Sequence, residues 1–176
     1  MFSKLKAELD AVMARDPAAR SRAEVYFLYS GFKAVRSYRK ANWFFRHNMK
    51  FIARYISQRA RRKTGIEIHP GATIGKNLFI DHGMGVVIGE TTIVGDNCVL
   101  YQGVTLGARF VEKELTGVER HPTIEDNVII YAGSTILGGD TVVGHDTVIG
   151  GNVWLTESVP PHSTVYHKPE IIIKGK

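Results

Sequence analysis

His82, preceded by Asp81 and followed by Gly83, is the residue best suited by type to move a proton at neutral pH. An imidazole titrates near about pH 6.5, so it can take a proton from a hydroxyl as that hydroxyl attacks. The glycines at 83 and 85 would leave its ring open to reactants. On type alone, His82 reads equally well as a turn residue on a solvated surface. Arg120-His121, just before Pro122, is a second group. It is either a guanidinium fork matched to a carboxylate or a loop terminus anchored by proline. Asp16-Pro17 reads locally as a helix start, with aspartate as N-cap and proline at the first helical position. Cys98 is the only cysteine, so an intrachain disulfide is excluded; it reads as a packing residue rather than a nucleophile.

Two kinds of sequence must position these groups. Residues 1–64 are rich in Ala, Arg, Lys, Leu and aromatics and predict helices over about 3–14, 18–30 and 32–62. Gly31 interrupts the second and third helices, a further break falls near His47-Asn48, and Gly65 closes the last helix. From residue 65 to about 165, glycine and β-branched residues take over. Aliphatics recur every six residues at Ile68, Ile74, Ile80 and Val86, then, after a two-residue slip, at Ile88, Val94, Leu100 and Leu106. The period resumes at Ile124, Ile130 and Ile136, slips by one residue, and continues at Val143, Ile149 and Leu155. One aliphatic per six residues suits a solenoid of short flat strands joined by tight turns, each aliphatic pointing into a narrow prism. The thirteen residues Ala108–Arg120 cannot fit one such unit and should project as a loop on the binding side. Residues 166–176 form a tail.

Length and composition fit one soluble globular unit with a helical attachment: 176 residues, 44% hydrophobic and 23% charged. A disordered or collagen-like chain is excluded. With one cysteine, an amphipathic charged start unlike a secretory leader and no apolar run long enough for a bilayer, the expected compartment is the cytoplasm. The net charge of +6 gathers between Arg15 and Lys63. It reads as a solvated helix face or an attractor of phosphates. Neither stacking platforms nor a recognition helix accompany it, which speaks against nucleic acid.

The stretches IEIHPGATIGKNLFIDHGMGVVIGET, QGVTLG and RHPTIEDNVIIYAG resemble the serine O-acetyltransferases, and ARDPAARSRAEVYFLYSGFKAV resembles the end of that family's helical domain. The likeness runs from Asp16 to about Val165. It implies an α+β chain: an N-terminal helical segment, then a left-handed parallel β-helix that associates as a trimer. It implies acetyl transfer from acetyl-CoA to the L-serine hydroxyl, with His82 as base and Glu67 as the carboxylate that steadies it. Asp16, Asp81, Arg120 and His121 match the serine-binding positions, while Gly107, Ala108, Ala132 and Gly151 match those along the coenzyme arm. His82 would come from one chain and His121 from the next. No acyl-enzyme and no metal are expected, and L-cysteine is a candidate feedback inhibitor.

Three departures from the family pattern stand out. A Gly107-Ala108-Arg109-Phe110 segment and a longer loop replace the common G-G-T-G-K. The helical part is short, which leaves a free trimer and a dimer of trimers equally open. The chain ends in lysine rather than isoleucine, which speaks against a complex with O-acetylserine sulfhydrylase. Rival readings are a hexapeptide acyltransferase with another acceptor, such as homoserine or a sugar, and a zinc lyase on the same solenoid. The lyase would need His69, His82 and His121 or their neighbours to converge on one metal, and Asp126 stands where a further histidine is expected.

Overall fold

The computed structural model describes residues 2–110 and 118–168, with side chains from residue 5 onward. The centre of the expected loop and the Ile171–Lys176 end therefore lie outside the described residues. Four helices come first: α1 (Phe2–Arg15), α2 (Arg22–Leu28), α3 (Ser30–Arg46) and α4 (Lys50–Thr64). The break at His47–Met49 and the left-handed Gly65 stop fall as expected, and the Gly65 amide donates to the Arg61 carbonyl.

Two local expectations are corrected. Asp16 does not cap α2. That helix starts six residues later, where the Ser21 hydroxyl accepts from the Glu24 amide. Asp16 instead closes a turn, its Oδ1 accepting from the Ala18 amide at 2.7 Å. Nor does Gly31 break a helix. The break falls at Tyr29, whose extended backbone ends α2 and precedes α3. Gly31 lies inside α3 because a Cβ there would overlap the Ile80 carbonyl oxygen. The glycine is a contact surface, bringing the helix down onto the solenoid.

Fourteen short strands follow among the described residues. They form three parallel sheets, one per face of a prism. The first face stacks β1 (Glu67–Ile68), β4 (Val87–Ile88), β7 (Thr105–Gly107), β10 (Thr135–Leu137) and β13 (Trp154–Leu155). The second stacks β2 (Thr73–Ile74), β5 (Ile93–Val94), β8 (Thr123–Ile124) and β11 (Val142–Val143). The third stacks β3 (Phe79–Ile80), β6 (Val99–Leu100), β9 (Ile129–Ile130), β12 (Val148–Ile149) and β14 (Thr164–Val165). This is the expected left-handed parallel β-helix. The register sets like on like: Ile68, Ile88, Leu106 and Ile136 form one inward column, and Ile80, Leu100, Ile130 and Ile149 another. Six of these eight are at most 1% exposed and the other two 4%, so each contributes about 1.5–3 kcal/mol of burial. Cys98 packs among them, its thiol donating to the Glu125 carbonyl at 3.1 Å, and burial pushes it up to about 11.

The prism has three edges. Edge I joins the third face to the first, edge II the first to the second, and edge III the second to the third. The three insertions into the six-residue period all fall at edges; a fourth break, two residues fewer, lies between β13 and Val159, which bridges to Val143. Two extra residues lie on edge I between β3 and β4, twelve on edge II between β7 and β8, and one on edge II between β10 and β11. The helices lie against the start of the solenoid. The Tyr38 hydroxyl donates to the Ala72 carbonyl at 2.6 Å, and Arg15 donates to the carbonyls of Asn77, Asn97 and Cys98. Among the described residues no helix is long and apolar enough to cross a membrane.

Replacing Gly31 with alanine should force α3 off Ile80. The expected result is a loss of about 1–3 kcal/mol in urea unfolding, seen as a lower midpoint at constant slope. An unchanged midpoint would mean that α3 is not held at that distance.

Candidate active site

Edge I carries His82. The two residues added between β3 and β4 push this turn outward, and His82 sits in it with φ +55° and a side chain 74% exposed. Its Nε2 lies 4.0 Å from Asp81 Oδ1. Glu67, at the start of β1, directs its carboxylate instead to Arg61 Nε at 3.3 Å and Gln58 Nε2 at 3.4 Å, both on α4. Within one chain, the carboxylate beside His82 is thus Asp81.

Asp16 reaches the same side of the molecule from the α1–α2 junction. Tyr29 donates its hydroxyl to Asp16 Oδ2 at 2.7 Å. That hydrogen bond, with desolvation and the charges of Asp16, Glu24 and Asp81, pushes the Tyr29 hydroxyl up to about 12. The phenol therefore stays protonated and keeps the Asp16 carboxylate oriented. Tyr29 was not among the residues expected from sequence; only the folded chain sets it thirteen residues away against Asp16. Ala132 and Gly151 lie further along edge I on successive coils, and the Ala132 carbonyl accepts from the Asn152 amide at 2.9 Å.

Edge II carries Arg120 and His121, where the long insertion rejoins β8. His121 is nearly buried. Its Nδ1 accepts from the Thr91 amide at 3.2 Å and lies 2.8 Å from the Thr91 hydroxyl. An Nδ1 that accepts leaves the proton of the neutral ring on Nε2, as a donor. Burial first, then the Arg120 charge, holds His121 below the ordinary histidine range. The Thr91 hydroxyl oxygen also accepts from the Arg120 and His121 amides at 3.0 and 3.2 Å, and Arg120 donates to Glu90 Oε2 at 3.0 Å. Gly89 lies against the His121 ring, which a Cβ there would overlap. The Gly89-Glu90-Thr91 segment is therefore the socket for Arg120-His121. The motif containing it was legible in sequence, but the roles of Glu90 and Thr91 were not.

Gly107, the last residue of β7, and Ala108 lie where the first face turns into edge II, before the insertion. Arg109, which stands in the altered segment, pairs with Asp140 at 3.1 Å and also donates to Thr141 Oγ1 and the Thr156 carbonyl, tying the loop base to later coils. The single extra residue between β10 and β11 lies in the turn containing Gly138-Gly139, against the returning Glu119 backbone. His69 is on edge II as well, its Nδ1 accepting from the Gly71 amide at 3.1 Å. Desolvation pushes it down to about 4, with Arg54 and His121 adding to the shift and Glu90 opposing it. His69 and His121 thus share an edge that His82 does not, so the set that a zinc lyase needs does not assemble within one chain.

The coil geometry and the polar groups on its edges define the class, a hexapeptide-repeat acyltransferase. Comparison with known proteins narrows this. No family model matches the chain. A serine acetyltransferase of Bacillus pumilus is 48% identical over 172 residues, covering 98% of this chain and 77% of that protein. Among solved structures, the Neisseria gonorrhoeae serine acetyltransferase in complex with serine superposes with a TM-score of 0.86 at 34% identity over 95% of this chain. The Entamoeba histolytica serine acetyltransferase 1 in complex with L-cysteine gives 0.87 at 41% over 94%. A serine acetyltransferase in complex with CoA gives 0.83 at 34% over 92%. The chain spans 62–66% of the length of these solved chains. It belongs to the serine acetyltransferase family.

The depressed histidines set a sign for acid stability. In the unfolded chain both titrate near about 6.5, so below that pH the unfolded state binds more protons and stability falls. For His69 the loss runs from about pH 6.5 down to about 4. Urea midpoints measured across that window should decline, and His69→Asn, which keeps a side-chain acceptor for Gly71, should flatten the decline. An equally steep decline in the variant would remove His69 as its source.

Proposed function

We propose that this chain transfers the acetyl group of acetyl-CoA to the hydroxyl of L-serine, giving O-acetylserine and free CoA, the first step of cysteine biosynthesis. The observation that carries the reading is His82, exposed on an edge with Asp81 beside it and Asp16 on the same side. His82 takes the serine proton as the hydroxyl oxygen attacks the thioester carbonyl. The tetrahedral oxyanion meets a backbone N–H, and the CoA thiolate leaves, its charge relieved by the proton on His82. Asp16 and Asp81 receive the serine ammonium. Arg120 offers its fork to the carboxylate, and Glu90 holds that fork in place. His121 presents Nε2–H. Glu67 is the second carboxylate proposed to steady His82, a role that requires it to leave Arg61 and Gln58, which hold it here.

The coenzyme arm lies along Gly107, Ala108, Ala132 and Gly151, whose small side chains leave an extended ligand room to reach the backbone. The basic residues of the helical segment attract its phosphates. Because His82 and His121 lie on different edges, we infer that the site closes between copies, edge I of one against edge II of the next, in a homotrimer. L-Cysteine, with the same ammonium and carboxylate, would compete at the serine positions.

The test is CoA thiol release with L-serine, homoserine, glucosamine or no acceptor. Serine-dependent release should fall about 10²–10⁴-fold in His82→Ala. Release with homoserine or the sugar alone would keep the class and discard serine. Mixing tests the shared site. His82→Ala and His121→Ala, each defective, should regain activity when refolded together, because every mixed trimer contains one junction with both histidines. With equal amounts and random assembly the recovery is about a quarter of the native rate. A mixture as inactive as its components would place both histidines in one chain's site.

A further inference from the structure

Edge III holds a feature that acetyl transfer does not use. In successive coils one residue of its turn adopts the left-handed conformation: Asn77, Asn97, Asn127, Asp146 and then His162, all with φ between 55° and 61°. Asparagine tolerates that conformation, and its amide both donates and accepts. The amides form a ladder: Asn77 donates to Asn97 at 3.0 Å, Asn97 to Asn127 at 3.3 Å, and Asn127 to Asp146 Oδ1 at 3.0 Å. Asp146 can only accept. Its Oδ1 ends the ladder, and its Oδ2 faces two imidazoles.

His145 Nδ1 is 2.8 Å from that oxygen and His162 Nδ1 is 3.9 Å from it. The ligand atoms of the three residues lie within 4.8 Å of one another. A zinc-class cation with bonds of about 2.1 Å requires tetrahedral ligands about 3.4 Å apart, a value these two separations bracket. The supporting shell is present. Asn127 fixes the carboxylate, the Asp146 amide donates to the Asp126 carbonyl at 3.0 Å, and the His162 amide donates to the His145 carbonyl at 2.9 Å. A surface His–Asp hydrogen bond alone would account for His145 but not for the second imidazole, brought from the next coil to the same carboxylate.

We propose that His145 Nδ1, His162 Nδ1 and Asp146 Oδ2 bind a divalent zinc-class cation, with water completing the shell. The ion replaces the proton between His145 and Asp146 and joins the two successive coils that carry His145 and His162. It lies on a different edge from His82 and His121 and has no part in acetyl transfer.

The test uses the full chain, stripped with chelator and carrying no polyhistidine tag, dialysed against Zn²⁺ and assayed for metal content. About one high-affinity zinc per chain is expected from three ligands in this geometry. Asp146→Asn and His162→Asn both suit the left-handed backbone, and the first keeps the acceptor for Asn127. Each should weaken zinc binding at least about tenfold and abolish the zinc-induced rise in Tm, while serine-dependent turnover stays unchanged. His82→Ala should leave the zinc content intact. Undiminished zinc in both asparagine variants, or none in the native chain, would overturn the proposal.

Discussion

Everything in this molecule depends on the requirement that each coil place its aliphatic side chains directly over those of the coil before it. The columns are narrow and fully packed, so a residue added within a strand would break the register of an entire face. Only the edges can absorb extra residues. The residues assigned to proton transfer and carboxylate binding are accordingly found where the period fails: His82 in the two-residue surplus of edge I, and Arg120 and His121 at the end of the twelve-residue surplus of edge II. The single extra residue between β10 and β11 makes room for the base of that second insertion.

The helices solve a different problem. The first coil has no preceding coil to bond with, so its backbone carbonyls need partners. Arg15, Tyr38, Arg39 and Asn42 supply donors to carbonyls along this end, and the glycine in α3 lets the backbone approach closely enough for the apolar residues between them to pack. The same docking carries Asp16 and Tyr29 to the side of Asp81, so one contact both seals the solenoid and helps to build the substrate face.

Much of this was legible in the residues. The six-residue period predicts the prism, and its two slips and one gap mark the edges that carry His82, His121 and the loop base. Less legible were the partners of the named groups. Thr91 and His121 are 30 residues apart, and Glu90 and Arg120 likewise, a spacing produced by one 18-residue turn of the coil plus the twelve-residue insertion. That sum can be read only once the insertion has been placed within a turn. Asp16-Pro17 misled for the opposite reason: the pair looks locally sufficient for a helix start, yet Ser21, five residues after Asp16, makes the better cap by accepting from the Glu24 amide. Glycine was equally ambiguous at position 31, where the close approach of another backbone, invisible in a linear sequence, decides its use.

The reach of Arg15 has a consequence for how the chain comes together. Its acceptors, the carbonyls of Asn77, Asn97 and Cys98, lie 62 to 83 residues further along. A ribosome delivers the helices first, but the seat of α3 needs the first coil and the last acceptors of Arg15 on α1 belong to the second. The helical segment must therefore wait, with Leu9, Val12 and Phe32 uncovered, and the order of synthesis runs opposite to the order in which the two parts can become firm.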